Sequence, residues 1–208
     1  MNDRKHVGEH PLDLLQSIGN MGAVKATASL SVLAGHPVEN SYAKVRILPL
    51  EEVPGLFGDP ERMIAAIIFQ VSGDVRGQFI ATFLMQDALD LITALTGAEC
   101  SLEGEFSEME TSALAEAGNI LASSYLAAIE RTTGLAVVPS PPAVAVDMAA
   151  GILTSAVLPM HEAGSEILLI EARFGDRERE LMGRMILLPS TESLPRLLRA
   201  VGGAAINA

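Results

Sequence analysis

A glutamate and an asparagine three residues apart, Glu116 and Asn119, have the types and spacing for chemistry done by positioning. A carboxylate can pair with a lysine of a partner. A carboxamide brings a hydrogen-bond donor and an acceptor together and can hold a water. Neither is a nucleophile. Asparagine is a mediocre helix former, and the preceding Gly118 is worse, costing about 1 kcal/mol relative to alanine. Yet Gly-Asn occurs twice, at Gly19-Asn20 and at Gly118-Asn119. Glycine permits close approach of another backbone. A solvated helix face would carry such a pair equally well, and the two residues alone leave both readings open.

The element that must position them is a helix. Placed at about 100° per residue, residues 112–130 put Ser112, Glu116, Asn119, Ser123 and Glu130 in one narrow stripe. Leu114, Ala117, Leu121, Tyr125, Ala128 and Ile129 fall on the opposite side. A helix patterned in this way buries one face and shows the other to something outside.

Other chemistries find less support. His6, His10, His36 and His161 are scattered, only His6 and His10 stand four apart, and the acidic residues show no EF-hand spacing, so no metal is expected. There is no G-x-S-x-G, and Ser123-Ser124 have no histidine placed by sequence to serve them. The glycines form neither a P-loop nor a dinucleotide fingerprint. Arg173, Arg177, Arg179 and Arg184 are mixed with acids and read as a solvated hairpin. A net charge of -12 argues against nucleic acid and anionic membranes as partners. The single cysteine, Cys100, supports no internal disulfide and fits a reducing compartment. The polar start lacks the apolar core of a signal peptide, and no run reaches the roughly 18–20 apolar residues of a membrane span. The expectation is a soluble, cytoplasmic protein.

Hydrophobic residues make up 49% of the 208, enough for a sizeable core built mainly from aliphatic side chains, since aromatics are only 4%. Residues 1–10 read as a loose arm. A helical pattern follows from Asp13 to Leu33 through Leu14, Leu15, Ile18, Gly22, Ala26 and Leu30. Strands are expected at 42–49, 63–71 and 78–85, the last two joined by the turn SGDVRG at 72–77. A break is expected at Pro54, Gly55, Gly58 and Pro60, and a helix at 87–96 ending at Gly97. After 112–130, strands are expected within 137–148 and at 152–160, 165–174 and 181–189. A helix at 191–202 and a tail at 203–208 close the chain.

This order repeats, once in 13–97 and again in 112–202, the second copy with an extra strand. LLQSIGNMGAVKA (14–26) resembles LAEAGNILASSYL (114–126), and an offset of 99 superposes the two Gly-Asn pairs. The expected fold is α+β. It is a single, internally duplicated, pseudo-two-fold domain over 1–208, with a mostly antiparallel sheet and two long helices bearing the sites.

The doubled Gly-Asn helix and the pattern Ser112-x3-Glu116-x2-Asn119-x22-Pro142 resemble the signature of the CheC/CheX/FliY family of chemotaxis phosphatases, and the length and two-copy layout are of the CheC type. The similarity extends through SGDVRGQFIATFLM, SYLAAIERTTGL and VDM. The resemblance implies hydrolysis of the aspartyl phosphate of CheY, a response regulator that sets flagellar rotation. Asn119 would orient the attacking water and Glu116 would pair with a lysine of CheY, while Ser112 and Pro142 would shape the site. Mg²⁺ would belong to CheY, so no cofactor of its own is expected. Phosphoryl transfer of this kind rests on positioning and electrostatics around an ion already present. The first copy departs from the signature. Asp13 and Asn20 fit it, but Ser17 replaces the glutamate and Ala43 stands where proline is expected, so that site is expected to be weak or silent. The resemblance also leaves an alternative, a binding adaptor that sequesters or regulates the receptor deamidase CheD. A monomer is expected, since one chain supplies both halves.

Overall fold

The computed structural model describes residues 9–40, 43–100, 105–157, 166–175 and 183–206. In chain order the elements are α1 (Glu9–Ala34), β1 (Glu39–Asn40), β2 (Lys44–Pro49), a 3-10 helix (Leu50–Phe57), β3 (Met63–Gly73), β4 (Gly77–Leu84) and α2 (Met85–Thr96). There follow α3 (Glu108–Thr133), β5 (Val137–Pro139), β6 (Ala143–Met148), α4 (Ala149–Val157), β7 (Glu166–Gly175), β8 (Gly183–Pro189) and α5 (Leu194–Ile206).

Among the described residues, eight strands form one sheet in the order β1-β7-β8-β4-β3-β5, with β2 also on β7 and β6 also on β3. Every pairing is antiparallel. The pairing crosses between the halves of the chain: Val45 on β2 sits opposite Ile170 on β7, and Val144 on β6 opposite Ile67 on β3.

Strands that read as continuous apolar runs do so because both faces of the sheet are covered. Side chains alternate between the faces at every second residue. Along β3, Ala65, Ile67, Phe69 and Val71 enter one core, whereas Ile64 and Ala66 enter the other. β8 divides likewise, Met185 and Leu187 against Ile186 and Leu188. The larger core is capped by α1, α2, α3 and α5 through residues such as Ile18, Leu91, Leu121 and Leu197. Tyr125 of α3 is fully buried in it, 5.4 Å between ring centroids from Phe79. The smaller core lies under Val53 of the 3-10 helix and Ile152, Leu153 and Ala156 of α4. The fold is thus α+β, as the sequence led us to expect.

Several elements differ from expectation. The strand expected at 152–160 is the helix α4 as far as Val157, and 158–160 lie outside the described residues. Its buried positions are Ala149, Ile152, Leu153 and Ala156, spaced as one face of a helix. Among the described residues a helical segment follows β6 in place of the extra strand, as one follows β2. The expected break near Pro54 is that 3-10 helix. The tail expected from 203 is helical to Ile206, and the arm expected at 1–10 is helical from Glu9, with 1–8 outside the described residues.

The expected solvated hairpin of arginines is also corrected. Arg184 is buried, donating to Glu171 Oε1 at 2.9 Å and to the Leu56 carbonyl at 2.6 Å. Glu171, only 2% exposed, also accepts from Arg46 at 2.7 Å and Arg173 at 3.1 Å. Burial pulls the Arg184 guanidinium below its usual range, and the Glu171 charge opposes that shift. Arg177 and Arg179 lie outside the described residues.

Candidate functional site

The helix that carries the candidate residues is fixed at both ends. Ser107 Oγ accepts from the Glu110 N–H, and the Ser107 N–H donates to Glu110 Oε2 at 2.7 Å, so orphan donors at the start of α3 are satisfied reciprocally. Cys100 Sγ donates to the same carboxylate at 2.8 Å, tying the preceding loop to the cap. These bonds, that of Cys100 first, hold the Glu110 carboxyl below its usual range. Gly134, with φ of 68°, closes the far end by donating to the Glu130 carbonyl at 2.8 Å.

Between the caps the expected faces are in place. Leu114, Ala117, Leu121, Tyr125, Ala128 and Ile129 are buried, while Ser112, Glu116, Ser123 and Glu130 are exposed and Asn119 is half-buried. Gly118 is explained by packing within the chain. A Cβ there would overlap Ile67 Cγ2 and stand 3.0 Å from Ile67 Cβ. The missing side chain lets α3 settle onto β3, which sets the depth of its two neighbours. The close approach suggested by the glycine is thus to the sheet.

Glu116 and Asn119 sit side by side one turn apart, with Asn119 Nδ2 3.4 Å from Glu116 Oε2. At that length the contact is weak. The amide nitrogen faces the carboxylate. Among the described residues no donor reaches Asn119 Oδ1. Ser112 lies exposed, four residues before Glu116 on the same stripe. Pro142 precedes β6 at the edge of the sheet. The chain leading to it is held to β3 by the Ser140 N–H donating to the Gln70 carbonyl at 2.8 Å and the Gln70 N–H donating to Ser140 Oγ at 3.0 Å. Three residues, 140–142, lie opposite two on β3 between the pairs Pro139↔Val71 and Ala143↔Ile68, which makes a bulge beside α3.

The first half places its residues differently. Ser17 Oγ donates to the carbonyl of Asp13 at 3.0 Å, within its own helix. Asn20 Oδ1 accepts from the backbone N–H of Ala43 at 2.5 Å. Gly19 again serves packing, since a Cβ there would lie 2.9 Å from Ala43 Cβ and 3.0 Å from Ile170 Cγ2. The pair that matches Glu116 and Asn119 by sequence is therefore committed to the fold. Sequence reasoning missed the Asn20–Ala43 bond. Its signal was the equal spacing of 23 residues from each asparagine, to Ala43 in one half and to Pro142 in the other.

Among the described residues no group of three His, Cys, Asp or Glu side chains comes together that could hold a metal ion, and no helix is long and apolar enough to cross a membrane.

The model of the CheC-like family matches residues 109–146, which take in the candidate pair and the proline. The chain is 28% identical to the CheY-P phosphatase CheC of Bacillus subtilis (strain 168) over 203 residues, 95% of this chain and 97% of that one. Its fold resembles the crystal structure of Thermotoga maritima FliY, with a TM-score of 0.74 at 16% identity, covering 96% of this chain and 99% of that one. It also resembles a chain of the CheX–CheY–BeF3–Mg²⁺ complex from Borrelia burgdorferi, with a TM-score of 0.53 at 18% identity, covering 81% of this chain and 96% of that one. The resemblance read from the sequence therefore holds.

Proposed function

From a CheC-like chain that exposes a carboxylate beside a carboxamide, we propose that its function is hydrolysis of the aspartyl phosphate of a CheY-type response regulator in chemotaxis. The observation that carries this reading is the pair itself. Glu116 and Asn119 stand together on the open face of a helix whose back is seated on the sheet, and the Asn119 carbonyl oxygen is unclaimed among the described residues. The relatives support it by what they are: a CheY-P phosphatase, and a chain crystallised in a complex with CheY.

In the proposed mechanism α3 docks over the phosphorylated site of the regulator. Glu116 pairs with a lysine there and fixes the register of the complex. Asn119 Oδ1 accepts a hydrogen bond from a water and holds its lone pair in line with the phosphorus. The water oxygen bonds to phosphorus as the bond from phosphorus to the aspartate oxygen breaks, which releases inorganic phosphate and leaves the aspartate carboxylate. Mg²⁺ would arrive on the regulator and offset the phosphoryl charge. Ser112 and Pro142 would shape the site around the pair, and the half with Ser17 and Asn20 would be silent. The protein would act as a cytoplasmic monomer.

The test is phosphate release from phosphorylated CheY with Mg²⁺. Asn119→Ala should lower kcat by about 100-fold, the scale of a lost positioning contact. Glu116→Ala should act mainly by raising KM. Phosphate release no faster than CheY alone, or full activity in both variants, would refute the proposal.

A second reading, an adaptor for the receptor deamidase CheD, is favoured by the outer side of α1. It exposes Met21, Val24 and Val32, the last 84% exposed, on a half whose motif is spent on the fold. Absence of any CheD–protein complex at micromolar concentrations would count against it.

A further inference from the structure

The same position bears a hydrogen-bond donor in one half of the chain and none in the other. Ala43 is the residue directly before β2, and Pro142 is the residue directly before β6. Each lies 23 residues after the asparagine of its half, and α1 packs on β1 and β2 as α3 packs on β5 and β6. Ala43 is fully buried, and its N–H must find an acceptor. It finds Asn20 Oδ1. The side chain that would hold water in the first half is thereby consumed as a bracket between helix and strand.

Proline has no backbone N–H. At position 142 it can offer nothing to a carboxamide on the neighbouring helix, and among the described residues Asn119 Oδ1 has no donor. A proline inside a sheet removes a ladder bond, but here the cost is avoided. The ladder partners of β3 on either side are Pro139 and Ala143, and the bulge between them is held by Ser140.

We propose that Pro142 is a positioning residue. By withholding a backbone donor it keeps the Asn119 carbonyl oxygen free for water, whereas Ala43 supplies that donor and silences Asn20. This rests on the phosphatase reading above and adds what the proline does. The difference between an active and a silent half is then partly a single N–H, in addition to the exchange of Glu for Ser at position 17.

The experiment restores the donor and then removes it again. Pro142→Ala provides an N–H. Replacing Pro142 by lactic acid gives the same methyl side chain with an ester oxygen in place of N–H. Pro142→Ala should lower kcat for phosphorylated CheY about 10-fold with KM little changed, the scale on which one competing hydrogen bond occupies the oxygen. The lactic acid variant should restore kcat. A second readout does not depend on catalysis: in Pro142→Ala the new backbone amide at position 142 should exchange its hydrogen slowly, and adding Asn119→Ala should speed that exchange about 10-fold or more. Full activity in Pro142→Ala, equal losses in the alanine and lactic acid variants, or exchange at 142 indifferent to Asn119 would each overturn the proposal. If wild-type protein released no phosphate, the phosphatase reading would fail, and the exchange measurement would still decide whether Asn119 captures the donor.

Discussion

Replacing Gly118 by alanine tests how α3 is seated. The added Cβ would collide with Ile67 Cγ2 and lie 3.0 Å from Ile67 Cβ, and both atoms belong to a side chain with no exposed surface. Ile67 is β-branched, with restricted χ1, and fully buried, so it has little room to swing aside. To regain ordinary carbon–carbon contact, helix and sheet must part by about 1 Å. Overpacking of this kind costs about 1–3 kcal/mol, while alanine returns about 1 kcal/mol over glycine through helix propensity. With so little room for Ile67 to yield, the upper part of that range applies, and the net loss is about 1–2 kcal/mol. Urea unfolding followed by circular dichroism should show a lower midpoint with an unchanged slope. Ile67→Ala alone should cost about 2–5 kcal/mol. In the double variant the alanine methyl enters the space that was opened, so the two losses should add to less than their sum. A 1 Å displacement also moves Glu116 and Asn119, and phosphate release should fall by up to about 100-fold. A Gly118→Ala protein as stable as wild type, or strict additivity with Ile67→Ala, would refute the seating argument.

Asn20→Ala should lower stability by about 1–3 kcal/mol, because it strands the buried N–H of Ala43, while phosphate release at α3 persists; lost activity in a protein of unchanged melting temperature would contradict the silent first half. Glu171→Ala leaves Arg184 buried without its carboxylate and should cost about 3–5 kcal/mol, measured by chemical unfolding. A wild-type midpoint would mean that the cluster adds little. Partial burial first, and then the bond to Glu110 and its charge, push the Cys100 thiol up to about 11. Alkylation of Cys100 should therefore be slow at pH 8 and rise about tenfold per pH unit toward pH 10, following the thiolate. Glu110→Gln should speed it at pH 8, and a plateau below pH 10 would refute the assigned environment.

Where a single helix face or strand decides the matter, the sequence was sufficient. The period of α3 separated Glu116 and Asn119 from the buried side chains, and the turn at Gly73-Asp74 was legible from backbone chemistry. Gly73 has φ of 103°, and Asp74 Oδ2 accepts from the Ala136 N–H at 3.0 Å. Failure came where local composition competed with tertiary context. Residues 149–157 contain Ile152, Thr154 and Val157, which favour strand, yet they bury the spacing of a helix against the sheet. The arginine cluster looked solvated because Glu171 lies in a strand that also reads as apolar, and only the pairing of β2 and β8 with β7 brings Arg46 and Arg184 to it. For the candidate site, residue types and spacing singled out the pair. What separates Asn119 from Asn20 is a backbone donor across an interface, and no residue propensity encodes that.

The crossed pairing of β2 with β7 and β6 with β3 has a consequence for inheritance. A chain cut between α2 and α3 would give two fragments, each lacking the strand that completes its own sheet and holding the strand that completes the other. Chain separations of 117–127 residues between β2 and β7, and of 75–85 between β6 and β3, must close before both are covered, so assembly is slow by topology. If the first half is silent, as proposed, it still cannot be shed, because its β2 pairs with β7 and its β3 carries β6. It would remain as the scaffold on which the half bearing Glu116 and Asn119 folds.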